Sequence, residues 1–178
     1  MNCTHEIVMA GFGGQGIMFA GKLVSYAGML AGKEISWLPS YGPEMRGGTA
    51  NCHVIVSDEQ IGSPIITNPT ALIAMNRPSL DKFEDTVVPG GLILTDSSLI
   101  NRSVKRKDVV AIEIPATQHA IDLGEGKLAN MVLVGRLIRE TGIVSLDILK
   151  EALKKIVPAR KQELLEMNIK MIELGYNG

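Results

Sequence analysis

Six residues do most to decide what this chain can fold into. Gly11-Phe12-Gly13-Gly14-Gln15-Gly16 is a G-x-G-x-x-G run standing between a short apolar segment and a helix of small residues. Glu6-Ile7-Val8-Met9-Ala10 reads as a buried strand. After the glycines, Ile17, Ala20, Gly21, Val24, Ala27, Gly28 and Ala31 recur at helical spacing until Gly32 supplies a stop. A face of such small residues lets a helix lie close against a sheet. The combination predicts the opening of a βαβ unit, and with it a layered α/β protein. Bare amides at a helix N-terminus also make a positive concavity that suits phosphate or another anion.

The rest of the chain keeps alternating. Ile35-Ser36-Trp37-Leu38 predicts a second strand halted by Pro39, and a loop dense in turn formers runs from Ser40 to Gly48. Thr49 to Val56 alternates as a half-exposed strand does, and Gln60 to Thr67 reads as a hairpin return or an edge strand. Ala71–Met75, Leu92–Thr95 (ending at Asp96) and Val109–Ile114 are further strands, with a short helix from Pro78 to about Thr86. Helices are expected at His119–Asp122, Lys127–Glu140, Leu146–Ile156 and Lys161–Leu174; Ser145 caps the third and Pro158 ends it. The expected fold is a single α/β domain over residues 1–178. It is a three-layer, Rossmann-like sheet, mainly parallel, with an antiparallel addition at Ala50–Thr67 and a helical C-terminal region. The apolar stripe of the last helix is read as a cap on the sheet, with a partner contact as the alternative.

Composition removes several function classes. At 178 residues and 46% hydrophobic, the chain builds a core without disulfides or metal. Eighteen basic against 19 acidic residues give no field for nucleic acid. Its apolar runs are too short to span a membrane, and Met1–Glu6 lacks the pattern of a secretory signal, so a cytoplasmic location is expected. Two cysteines, Cys3 and Cys52, are too few for a four-cysteine cluster; each is read as a small buried or half-buried residue. His5, His53 and His119 have no metal-ligand spacing.

The glycine run invites a nicotinamide or flavin dinucleotide, but that reading wants an acidic residue at the end of the second strand. Here the strand ends at Leu38-Pro39, and Glu34 stands at its beginning. A turn serving only close packing, and a site for some other phosphate-bearing ligand, both fit the same residues. The second constellation is Ser40-Tyr41-Gly42-Pro43-Glu44-Met45-Arg46-Gly47-Gly48. Placed after the second strand, it belongs at the carboxyl edge of the sheet beside the first turn. Arg46 is suited to phosphate or carboxylate, and a solvated loop with a local Glu44–Arg46 contact is the plain alternative. There is no G-x-S-x-G elbow and no G-K-[ST] lysine, and Asp96 reads as a helix cap or turn residue. No residues compose a complete catalytic machine, which points to partner subunits.

The runs A-G-F-G-G-Q-G at Ala10–Gly16 and W-L-P-S-Y-G-P-E-M-R-G-G-T-A-N-C at Trp37–Cys52 resemble the gamma subunits of 2-oxoacid:ferredoxin oxidoreductases. Asn68-Pro69, Ala74-Met75-Asn76, Pro89-Gly90-Gly91 and Ala129-Asn130-Met131 continue the resemblance. It implies a share in the oxidative decarboxylation of a 2-oxoacid with coenzyme A, giving acyl-coenzyme A, carbon dioxide and reduced ferredoxin. It also implies alpha and beta subunits carrying thiamine diphosphate and magnesium, and a ferredoxin-like delta subunit or domain, with iron–sulfur clusters outside this chain. The gamma chain is then expected to close over the active site and help receive coenzyme A. Gly11, Gly13, Gly14, Gln15, Gly16 and the loop Tyr41, Gly42, Pro43, Glu44, Met45, Arg46, Gly47 and Gly48 are the candidate contacts. The same residues would serve a subunit interface or the thiamine pocket. A freestanding nucleotide-binding oxidoreductase and a non-catalytic module for a phosphorylated metabolite are the competing readings. The loop's wording leans towards the 2-oxoglutarate or branched-chain enzymes.

Overall fold

The computed structural model describes residues 3–40 and 49–178. Its centre is a six-stranded sheet in the order β2-β3-β1-β4-β5-β6. The strands are β1 (Thr4–Phe12), β2 (Glu34–Ser40), β3 (Thr49–Ser57), β4 (Ala71–Ala74), β5 (Leu92–Asp96) and β6 (Val110–Ile114). Five run in one direction. β3 alone is antiparallel, pairing with β1 from Thr4↔Ser57 to Phe12↔Thr49 and with β2 from Glu34↔Ser57 to Ser40↔Asn51. The expected antiparallel element is therefore present, wedged inside the sheet rather than added at its rim.

The pleat sorts two cores. Ile7, Met9, Cys52, Val54, Val56, Ile73 and Leu94 face one way, and helices α1 (Ile17–Leu30), α4 (Ala129–Thr141) and α5 (Leu146–Ile156) pack over them. α1 sits close because a Cβ at Gly21 would come within 2.5 Å of Cys52 Sγ. Val8, Ile55, Leu72, Ala74 and Ile93 face the other way, under α2 (Arg77–Phe83), a 3-10 turn at Glu84–Thr86 and irregular chain around Ile66 and Ile100. Glu84, 4% exposed, pins that irregular cover. It accepts from Arg102 at 2.7 Å and from the amides of Lys105 and Arg106. Burial pushes its carboxyl pKa up, but these donors together hold it below the ordinary value.

Four expectations change. Gln60–Thr67 forms no strand, because β1 and β2 already occupy both edges of β3. That stretch instead lies over the sheet, with the Ile66 amide donating to His53 Nδ1 at 3.2 Å. β2 runs through Pro39 to Ser40: it is an edge strand, where a residue without an N–H is tolerated. Cys3 is exposed, its Sγ 3.2 Å from His5 Nε2. Cys52 is buried as expected, and burial pushes its thiol up to about 12. The last helix, α6 (Gln162–Asn177), packs across α4 rather than capping the sheet. A Cβ at Gly175 would run into Val132 O and one at Gly135 into Ile172 O, so the two helices meet backbone to backbone. α5 has the predicted bounds, with Ser145 Oγ accepting from the Ile148 amide. α3 (Ala116–Asp122) and α4 start within a few residues of expectation. No helix among the described residues is long and apolar enough to cross a membrane.

Candidate functional site

All five parallel strands end at one edge of the sheet. From β1 the chain departs towards β2 and β3, and it later builds β4, β5 and β6 on the other side of β1. The switch in direction therefore lies between β1 and β4, and the crevice outside those two strand ends is where open α/β sheets bind ligands. The glycine run occupies that place, directly after β1.

Its geometry follows from its residues. The Phe12 amide donates to Gln15 Oε1 at 2.6 Å and the Gln15 amide to Phe12 O at 3.2 Å, closing a tight turn. Gln15 Nε2 donates across the switch point to Met75 O at 3.1 Å, tying the turn to the end of β4. Both ends of the Gln15 amide are thus engaged in bracing the loop. Gly14 and Gly16 take φ of 91° and 74°, the left-handed region that other residues rarely adopt. Gly16 is the N-cap of α1 and provides no side chain to bond the helix amides. The first helical bond runs from Ala20 N to Gly16 O at 3.0 Å. The amides of Ile17, Met18 and Phe19 are left without a partner inside the helix, and no acidic side chain stands in the first turn. The result is a group of donors at the positive end of a 14-residue helix.

The neighbouring strand ends are built differently. After β4, Asn76 Oδ1 caps α2 by accepting from the Ser79 amide at 2.8 Å. After β5, Asp96 is fully buried and accepts from the Ser98 and Thr117 amides and from Thr117 Oγ1 at 2.5 Å. Asp96 is a turn and cap residue, as its sequence context suggested.

Two residues of the site went unassigned in the sequence: Asn76 and Asn130. Asn130, the second residue of α4, is 4% exposed and donates from Nδ2 to Gly16 O at 3.0 Å. Its Oδ1, and Asn76 Nδ2, are buried with no hydrogen-bond partner among the described residues. The residue pattern carries a signal for Asn76, an asparagine between a strand and an Arg-Pro helix start. Asn130 falls in the run Ala129-Asn130-Met131 that continues the family resemblance, but no local pattern ties it to its partner 114 residues away.

Tyr41, Gly42, Pro43, Glu44, Met45, Arg46, Gly47 and Gly48 lie outside the described residues. The strands on either side of them are placed: Ser40 pairs with Asn51 and Thr49 with Phe12, so the chain departs and returns at the edge that bears the glycine turn. Among the described residues no three His, Cys, Asp or Glu side chains gather as a metal site. His53, beside Ile66, has its pKa lowered by burial.

Comparison with known proteins agrees with this architecture. The chain is 40% identical over 172 residues to the ketoisovalerate oxidoreductase subunit VorA of Methanothermobacter thermautotrophicus, covering 96% of this chain and 35% of that protein. This chain thus spans about a third of the length of that relative. It is 37% identical to the 2-oxoglutarate synthase subunit KorC of Methanocaldococcus jannaschii, covering 96% of this chain and 91% of that one. The gamma subunit of a keto/oxoacid ferredoxin oxidoreductase from Geobacter sulfurreducens superposes with a TM-score of 0.84 at 30% identity, over 97% of this chain and 96% of its own. A 2-oxoglutarate:ferredoxin oxidoreductase from Magnetococcus marinus, solved with 2-oxoglutarate, coenzyme A and succinyl-CoA bound, superposes with a TM-score of 0.88 at 26% identity, over 98% of this chain and 30% of that one. Residues 6–178 match the pyruvate ferredoxin/flavodoxin oxidoreductase family. With its glycine turn at the switch point and its fold shared with gamma subunits, this chain belongs to that family.

Proposed function

We propose that this chain is the gamma subunit of a cytoplasmic 2-oxoacid:ferredoxin oxidoreductase and that its switch-point crevice receives coenzyme A. The observation that carries the reading is the uncapped N-terminus of α1, where the Ile17, Met18 and Phe19 amides have no helical partner and no first-turn acid opposes an anion. Coenzyme A carries phosphate oxygens that accept from such amides. Arg46, in the loop whose flanking strands end at the same edge, adds a planar fork for two oxygens. The Magnetococcus relative, with coenzyme A bound, supports the ligand class.

In this reading thiamine diphosphate with magnesium, on alpha and beta subunits, supplies the decarboxylation chemistry, and iron–sulfur clusters beyond this chain lead electrons to ferredoxin. This chain's own residues hold and orient. The α1 amides fix the phosphate end of coenzyme A, Gln15 keeps the turn in register with β4, and the gamma chain as a whole closes over the cleft and excludes water. The contribution is proximity and orientation rather than acid–base catalysis. The names of the relatives favour a branched-chain 2-oxoacid or 2-oxoglutarate as the acid decarboxylated.

A dinucleotide enzyme fits less well. The antiparallel β3 separates β1 from β2, so the end of β2 stands two strand spacings, about 9–10 Å, from the glycine turn. It also ends at Pro39-Ser40 with no carboxylate for a ribose.

The test is an anaerobic pull-down of the tagged chain from its host, with the eluate assayed for coenzyme A-dependent viologen reduction on a panel of 2-oxoacids. Thiamine- and cluster-binding subunits are expected to co-purify with activity, and the preferred acid names the enzyme. In that complex, Arg46→Ala raises the KM for coenzyme A about tenfold, with little change for the 2-oxoacid. An unaltered coenzyme A dependence would leave the loop a shaping role only. A chain that elutes alone and inactive would overturn the subunit reading.

A further inference from the structure

Asn130 sits where an apolar residue would be expected. It lies near the start of α4, is 4% exposed, and is surrounded in sequence by core residues: Ala129, Met131, Val132, Leu133 and Val134 are all buried. Only one end of its amide is satisfied. Nδ2 donates to Gly16 O, while Oδ1 is buried without a partner among the described residues. A buried acceptor left unpaired is a cost to the fold, and such exceptions call for an explanation.

The explanation lies in what Nδ2 holds. Gly16 O is the first acceptor of α1, already taking the Ala20 amide at 3.0 Å, and Asn130 supplies a second donor to the same oxygen. A Cβ at Gly16 would fall on Asn130 Nδ2, so the glycine and the asparagine are a matched pair: one has no side chain because the other occupies its space. Gly16 has φ 74° and provides no side-chain cap, so nothing in its own side chain fixes the direction of the helix start. Gln15 braces the turn from the β4 side through Met75 O, and Asn130 braces it from the α4 side.

We propose that Asn130 is a positioning residue for the anion site: it holds the Gly16 carbonyl so that the Ile17, Met18 and Phe19 amides stay aimed into the switch-point crevice. It acts through Gly16 and touches no ligand itself. The ligand class, a phosphate-bearing molecule such as coenzyme A, rests on the function proposed above, whereas the bracing of α1 does not.

The experiment uses the assembled complex carrying Asn130→Ala, with Asn130→Asp as a second variant of the same size that lacks the donor. Two readouts are taken: amide hydrogen exchange across residues 12–21, and steady-state kinetics with coenzyme A and the 2-oxoacid varied separately. Exchange at Ala20 and its neighbours is expected to quicken about tenfold or more, with β4 and β5 unchanged. The midpoint of thermal unfolding of Asn130→Ala should stay within about 3 °C, because the lost bond is offset by removal of the unpaired acceptor, whereas Asn130→Asp, which sets a buried carboxyl oxygen against the Gly16 carbonyl, should unfold at a lower temperature. The KM for coenzyme A should rise about tenfold while kcat and the KM for the 2-oxoacid move less than twofold. Quickened exchange with unchanged coenzyme A kinetics would keep the positioning role and sink the coenzyme A assignment. Unchanged exchange at residues 12–21 in both variants, or failure of both to assemble, would overturn the proposal and make Asn130 an ordinary packing residue.

Discussion

Two strand ends stand two places apart on the same sheet edge and are finished in opposite ways. After β5, one buried carboxylate gathers everything: Asp96 takes the Ser98 amide, the Thr117 amide and the Thr117 hydroxyl. After β1 the chain uses glycines, and α1 begins with no side-chain cap. A helix start whose amides are met by protein side chains, as those of Thr117 and Gln118 in α3 are by Asp96 and Ser98, has little left to offer a ligand. One that is left bare is useful only if something outside the helix holds it still, and here the outside supports are Gln15 to Met75 and Asn130 to Gly16. Of these two strand ends, the one after β1 leaves helix amides bare and the one after β5 does not.

That contrast breaks if the two ends respond alike to mutation. Asp96→Ala carries the largest expected effect: three bonds to a buried acceptor are lost, and urea unfolding should report roughly 3 kcal/mol of destabilisation. Assembled enzyme that survives should keep its KM for coenzyme A, since Asp96 serves the fold. Gly16→Ala should cost about 2 kcal/mol, from the left-handed backbone and the displaced Asn130 amide, and it should also raise that KM. A purely structural turn would show the first effect without the second. Asn76→Ala sharpens the comparison at the intermediate strand end, where a loss of about 1 kcal/mol is expected for the α2 cap. A coenzyme A effect at Asn76 as large as at Gly16 would extend the site across β4.

How much of this could be read in the residues follows the range of the interactions. The glycine turn, the small-residue face of α1 and the capped α5 are local patterns, and they were legible. Pro39 and Gln60–Thr67 misled because each depends on which edges of the sheet are free: an edge strand admits the proline, and a β3 flanked on both sides admits no further partner. The seat of α6 on α4 rests on Gly135 and Gly175 meeting across two helices, which an apolar stripe alone does not reveal. Asn130 is the extreme case. Nothing near it in sequence distinguishes a polar residue in a core helix from one that shapes a turn 114 residues away.

The wedged strand β3 has a bearing on the order in which the molecule assembles. β2 and β3 follow one another along the chain, so they close as a hairpin on a scale of roughly microseconds. Gln15 and Met75 are 60 residues apart, and Gly16 and Asn130 are 114 apart, so both of those ties wait on the closing of long loops. The ties that hold the glycine turn to β4 and to α4 can therefore form only after those long loops close. During synthesis the glycine motif emerges well before α4, whose Asn130 lies 114 residues further along, so a partly folded chain carries the motif without the tie that holds the Gly16 carbonyl.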